Sequence, residues 1–128
     1  MEPPGKRSIL RSTAPLVGVV GPCGSGKSTL ITGLEQNGYA CRHIAQEHSH
    51  VPAMWQRIAR PDILIFLEAS FAVSTARRRL NWHEADHEEQ SRRLAHARQH
   101  ADMVIETDTL SPEQVLARVL DYLKEKNP

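Results

Sequence analysis

The sequence lacks most of the features that would tie it to a membrane, a nucleic acid or a secreted scaffold. Its 16 basic and 15 acidic side chains leave a formal charge of +1, so no global field steers it to nucleic acid or to a lipid surface. It has only 2 cysteines, Cys23 and Cys41, too few for a disulfide framework and without a metal-ligand spacing. No apolar run approaches membrane-spanning length, and the first residues lack the apolar core of a signal peptide. There is no internal repeat. At 128 residues the chain has room for one domain with a real core, but it is short for an enzyme with two substrates.

What is present is concentrated in one stretch, GPCGSGKST, from Gly21 to Thr29. It fits the phosphate-loop pattern G-x-x-x-x-G-K-[ST], with Gly21, Gly26, Lys27 and Ser28 at the fixed positions. A triphosphate needs a concave row of backbone N–H donors, and side chains would block that approach. Gly21, Gly24 and Gly26 allow the tight path. Cys23, Ser25 and Thr29 complete the expected nucleotide-binding set. Lys27 supplies a point charge for the phosphates and is expected to serve them rather than the core. Ser28 supplies a hard oxygen ligand for Mg²⁺. Leu16–Val20 before the loop reads as a strand buried on both faces, and Leu30, Ile31 and Leu34 after it recur at helical spacing. The expected cofactors are ATP or GTP with Mg²⁺. A disulfide at Cys23 would disturb such a loop, so a reduced, cytoplasmic setting is expected.

Residues 1–15 read as a loose leader, with Ser8-Ile9-Leu10 as a weak edge-strand signal, and residues 16–128 as a single nucleotide-binding domain. Tyr39–Ala45 predicts a second strand, running into the polar cluster Gln46-Glu47-His48-Ser49-His50. Pro52–Arg60 predicts a short helix in which Trp55 is a packing residue. Ile63–Glu68 is a third strand, followed by a helix capped by Ser70 and reaching about Leu80. Asn81–His100 is a very polar helix whose thin apolar face (Leu94, Ala97, Ala101) predicts little burial and a mobile segment. Met103–Ile105 is a fourth strand. Ser111-Pro112-Glu113-Gln114 is a capping signal, and Val115, Leu116, Val119, Leu120 and Leu123 stripe the last helix.

His83-Glu84-Ala85-Asp86-His87 matches the zinc-protease pattern H-E-x-x-H, but it opens a polar helix with no third ligand in phase, and a solvated helix start is the preferred reading. His96 and His100 repeat the spacing and receive the same reading. His43, His48 and His50 lie nearer the expected site.

The pattern resembles the P-loop kinases, in particular nucleoside and nucleoside-monophosphate kinases of the thymidylate kinase type. GPCGSGKST with its flanks carries the resemblance, together with PDILIFLEASFAVSTARRR (Pro61–Arg79) and DMVIETDTLSPEQVLARVL (Asp102–Leu120). The resemblance implies a three-layer α/β/α P-loop NTPase sandwich and ATP-dependent phosphoryl transfer to a small acceptor such as a nucleoside or nucleotide. It also implies a lid-like segment over residues 77–100, with Arg77 as the first choice of lid arginine and Arg93 the second; the balanced charge and the lack of a spanning run give the expectation of no nucleic-acid or membrane partner. A monomer and a homodimer both remain open. A GTPase reading lacks the N-K-x-D guanine motif.

The family's usual strand and acceptor-holding helices between the second strand and the LEAS-type strand have no room here, because Pro61 follows too soon after Glu47. The second strand is therefore expected beside the first, giving a small, mainly parallel sheet of order 2-1-3-4. That order selects Glu47 over Glu68 and Glu106 as the Mg²⁺-water ligand or general base. A regulatory nucleotide-binding module without turnover is the alternative.

Overall fold

LVGVV is apolar at every position, and such a run is stable only where both faces of a strand are covered. This run forms β1 (Leu16–Val20), and its last four residues are buried. The computed structural model describes residues 15–78 and 83–126. The expected leader up to residue 14, with Ser8-Ile9-Leu10, and Arg79 of the arginine run lie outside the described residues.

β1 is flanked on one side by β2 (Ala40–His43) and on the other by β3 (Ile63–Glu68), which in turn pairs with β4 (Met103–Glu106). All three pairings are parallel, and the order is β2-β1-β3-β4. The expected order 2-1-3-4 is the observed one. The helices are α1 (Lys27–Gln36), α2 (Met54–Ile58), α3 (Phe71–Arg78), α4 (Glu84–His100) and α5 (Pro112–Lys126), with a single 3₁₀ turn over Gln46–His48.

Alternation along the strands splits the core in two. Val17, Val19, Ile65, Leu67 and Ile105 face α1 and α5, where Leu30, Leu34, Val115, Val119 and Leu123 meet them. Val20, Leu64 and Phe66 face the other way, toward Trp55 of α2 and Leu94 and Ala97 of α4. Each fully buried Leu or Val contributes about 1.5–3 kcal/mol relative to exposure. Trp55 is a packing residue, as expected, and its Nε1–H donates to His96 Nδ1 at 3.1 Å.

α4 differs from expectation. Its stripe is thin, yet Leu94 and Ala97 are fully buried against the sheet. A two-residue contact suffices because the facing surface is Phe66, Leu64 and Trp55.

Two aspartates pin the strand entries. Asp62 accepts the Leu16 N–H through Oδ2 at 2.7 Å and donates its own N–H to Leu16 O at 2.8 Å. Asp102 repeats both bonds with Leu64, at 2.7 and 2.8 Å. At the start of α5, Ser111 Oγ accepts from Gln114 N–H and Gln114 Oε1 accepts from Ser111 N–H, a reciprocal cap. Ser70 Oγ caps α3 through the Val73 N–H at 3.3 Å. No described helix is long and apolar enough to cross a membrane.

Candidate functional site

Parallel strands deliver all their carboxyl ends to one edge of the sheet, and a crevice opens there where neighbouring connections diverge. β1 and β3 end side by side, with Val20 paired to Phe66. The chain leaving β1 passes so close to β3 that a Cβ on Gly21 would stand 2.4 Å from Leu67 O. Only glycine fits. Gly26 closes the loop as the residue before α1 with φ of +100°, where a side chain would have space but not an allowed backbone. Ser25 N–H bonds back to Pro22 O at 3.1 Å, and α1 begins its own ladder with Leu30 N–H donating to Gly26 O at 3.1 Å. The amides of the first turn therefore have no intrahelical partner and carry the positive end of the helix dipole.

Lys27 turns back under the loop. Its ammonium donates to Gly21 O at 2.7 Å, Pro22 O at 3.2 Å and Glu47 Oε2 at 2.8 Å. Both partners of the ion pair are buried, with side-chain exposures of 6% and 3%. Glu47 reaches this position because β2 lies directly beside β1 and the 3₁₀ turn follows it at once. Its backbone is braced by Arg93, whose Nη1 donates to Glu47 O at 3.3 Å. Two buried oxygens, Ser25 Oγ and Glu47 Oε1, have no hydrogen-bond partner among the described residues. Such oxygens suit a ligand that brings donors or a cation.

A cavity of about 530 Å³ opens above this floor. Residues 23–30 form one wall; His43, Ala45, Glu47 and His48 close one end; Arg77, Thr107, Leu110, Pro112 and Val115 close the other. The second end is apolar apart from Arg77 and Thr107. Arg77 spans it, donating through Nη1 and Nη2 to Thr107 Oγ1 and O, with a longer approach of 3.5 Å to Gly24 O. Thr107 is itself buried.

The residues singled out in the sequence separate clearly. Cys23 to Thr29, Glu47 and Arg77 come together at the cavity, with Ser28 and Thr29 exposed on its wall, while Gly21 meets the site only through its carbonyl on Lys27. Glu68 does not join them: it pairs with Arg98 at 2.8 Å, and this hydrogen bond holds the Arg98 guanidinium above its ordinary value. Glu106 ends the edge strand beside Glu68. Arg93 acts on the Glu47 backbone rather than lining the cavity. His87 of H-E-x-x-H lies 3.0 Å from Ala69 O, and that motif supplies no metal cluster among the described residues.

Gln46 is not a site residue. It is buried, and its amide binds Val51 O, Arg93 O and Trp55 N–H. Gln90 is a neighbour of the loop that the sequence does not disclose. From α4 its Oε1 accepts the Cys23 N–H at 3.1 Å, while its Nε2 lies 3.3 Å from Cys23 Sγ. One glutamine in a polar helix carries no signal for a contact 67 positions away.

A scan against protein-family models gives no match. A search of curated proteins gives none either.

Proposed function

We propose that this chain binds a magnesium–nucleoside triphosphate, ATP or GTP, and transfers a phosphoryl group to a small acceptor, as a P-loop kinase of the three-layer α/β/α class. The observation that carries the reading is the buried Lys27–Glu47 pair beneath a glycine-built loop at the head of α1. A buried cation beside unpaired amides suits a polyanion, and a carboxylate with one unspent oxygen suits a metal-bound water or an acceptor hydroxyl.

The residues present fit that ligand. The amides of the Gly24–Ser28 loop would hold the phosphates, and the Ser28 hydroxyl would ligate the ion. Leu110, Pro112 and Val115 offer an apolar slot for the base, with Arg77 at its edge over the phosphates. The bound ion supplies charge neutralisation at the phosphate oxygens. Lys27 already holds three acceptors, so it meets a phosphate by giving up at least one of them. Glu47 Oε1, which has no partner among the described residues, is available to take a proton from the acceptor. His43 and His48 stand at that end of the cavity, on the side where an acceptor would enter.

The short connection from Glu47 to α2 favours a second reading, a nucleotide-binding module that turns over slowly, since β2 and α2 leave little wall for an acceptor. One experiment addresses both readings. Thermal melting with Mg·ATP and Mg·GTP tests binding, where a ligand at a hundred times its dissociation constant adds about 2.7 kcal/mol. A screen of nucleosides, nucleotides and small sugars for ATP consumption then separates kinase from module. Absence of any shift at millimolar nucleotide rejects both.

A further inference from the structure

Beside the lysine's ring of acceptors, three unlike donor atoms converge. Cys23 Sγ lies 4.0 Å from Glu47 Oε2 and 3.7 Å from His48 Nε2, and His48 Nε2 lies 3.8 Å from Glu47 Oε2. A tetrahedral zinc ion with ordinary bond lengths sets such donor–donor edges at about 3.3–3.6 Å. The triangle is therefore larger than a zinc site by about half an ångström on the two edges to Glu47 and by less on the Cys23–His48 edge, within the reach of side-chain rotation.

A second observation points the same way. The Glu47 carboxylate is buried, and while Oε2 accepts from Lys27, Oε1 has no partner among the described residues. Lys27 therefore does not exhaust this anion: Oε2, the oxygen of the triangle, already carries one cation, and rotation of the carboxylate lets the unpartnered Oε1 meet a second. Gln90 adds the supporting contact that thiolate ligands use, with its Nε2 donating to Cys23 Sγ at 3.3 Å.

We infer that Cys23, Glu47 and His48 form a binding site for a borderline-soft divalent metal ion of the zinc class. A thiolate and an imidazole select such an ion over magnesium or calcium, which prefer all-oxygen sites. The thiol releases its proton to solvent as the bond to the metal forms. Three protein donors leave a fourth position, and all three residues line the cavity, so that position is open to water or an anionic ligand. The site shares Glu47 and the cavity with the nucleotide reading, but its existence is read from the metal itself and is tested without nucleotide.

Cobalt(II) titration of the untagged 128-residue chain, freed of metal by a chelator, is the test. The expected result is a thiolate-to-cobalt charge-transfer band with tetrahedral ligand-field bands, saturating at one equivalent and bleached by zinc. Cys23→Ser should lose the charge-transfer band. His48→Ala should weaken binding by about tenfold or more, the scale seen for disturbed metal shells. Cys41→Ser should titrate like the parent. The two site variants change partly exposed residues, so folding survives and the readout stays interpretable. No charge-transfer band at one equivalent, a band that persists in Cys23→Ser, or unchanged affinity in His48→Ala overturns the site. The cobalt bands are read without nucleotide, so failure of the nucleotide reading and failure of the metal site remain distinguishable.

Discussion

Glu47 Oε2 stands 2.8 Å from Lys27 Nζ, and neither side chain has more than 6% of its surface in water. The loop lysine is thus part of the protein's interior as well as of the proposed phosphate site. The expectation that it serves phosphates and not the core needs correction. Removing one member of a buried pair strands the other charge, at a cost of about 3–5 kcal/mol. Lys27→Ala should lose that much in urea unfolding, and Lys27→Met combined with Glu47→Gln should recover a large part of it. Equal stability of Lys27→Ala and the parent would mean that the pair opens to water.

Glu47→Gln keeps the shape of the side chain and the loop around it. Nucleotide affinity should stay within about tenfold, while turnover of an identified acceptor falls roughly 10²-fold, the scale of a lost acid–base group. Glu68→Gln breaks only its contact with Arg98, where both side chains are more than a third exposed. Its turnover should match the parent. The reverse pattern would move the catalytic carboxylate to β3.

Arg77→Ala removes the tie between α3 and the Thr107 backbone. Losing these hydrogen bonds should cost about 1–2 kcal/mol of stability. Isothermal titration should also show weaker nucleotide binding, by roughly tenfold, the equivalent of one charge-assisted hydrogen bond. Unchanged affinity would reduce Arg77 to a structural strut.

Gly21→Ala forces a methyl group against backbone, since its Cβ would meet Leu67 O at 2.4 Å. A backbone carbonyl in a sheet cannot step aside as a side-chain tip can. Destabilisation of about 2 kcal/mol or more is expected from overpacking together with the positive φ. A thermal melt of the variant checks it.

The Cys41 thiol should resist ionisation at high pH. Burial, aided by the charge of Glu35, pushes the Cys41 thiol up to about 11 from 9.0. The fold favours its neutral form, so that contribution to stability is fully present below pH 9 and is lost as pH rises from 9 toward 11, where the unfolded chain gives up its proton first. At pH 8 only about one Cys41 in a thousand is thiolate, and alkylation there should be correspondingly slow, rising about tenfold per pH unit. Mass spectrometry of iodoacetamide-treated Cys23→Ser isolates the Cys41 rate; fast labelling at pH 8 would contradict this.

Parts of this arrangement were legible because local patterns and global demands coincide. LVGVV and ILIFLE are apolar on both faces because both faces are covered, and the glycines of GPCGSGKST stand where Leu67 O and the α1 turn require them. The strand order followed from the kinase resemblance together with the spacing: Pro61 comes too soon after Glu47 for the strand that the family usually places there. Other parts depend on contacts that periodicity does not encode. Leu94 and Ala97 look like a weak stripe until Trp55 and Phe66 are set opposite them. Gln46 reads as a polar loop residue, yet it is buried because three backbone groups converge on its amide. The two aspartates that open β3 and β4 resemble ordinary turn residues, and their pairing with Leu16 and Leu64 appears only across the sheet.

The close passage of Gly21 over Leu67 O has a consequence for the order in which a ribosome delivers the chain. β1, the glycine loop and α1 emerge early, with β2 as their first neighbour, but the surface against which the loop is shaped belongs to β3. Until residues of Ile63–Glu68 have left the exit tunnel, the nascent loop has amides and a lysine but no wall to set their curvature. The loop takes its final shape only when the third strand docks beside the first.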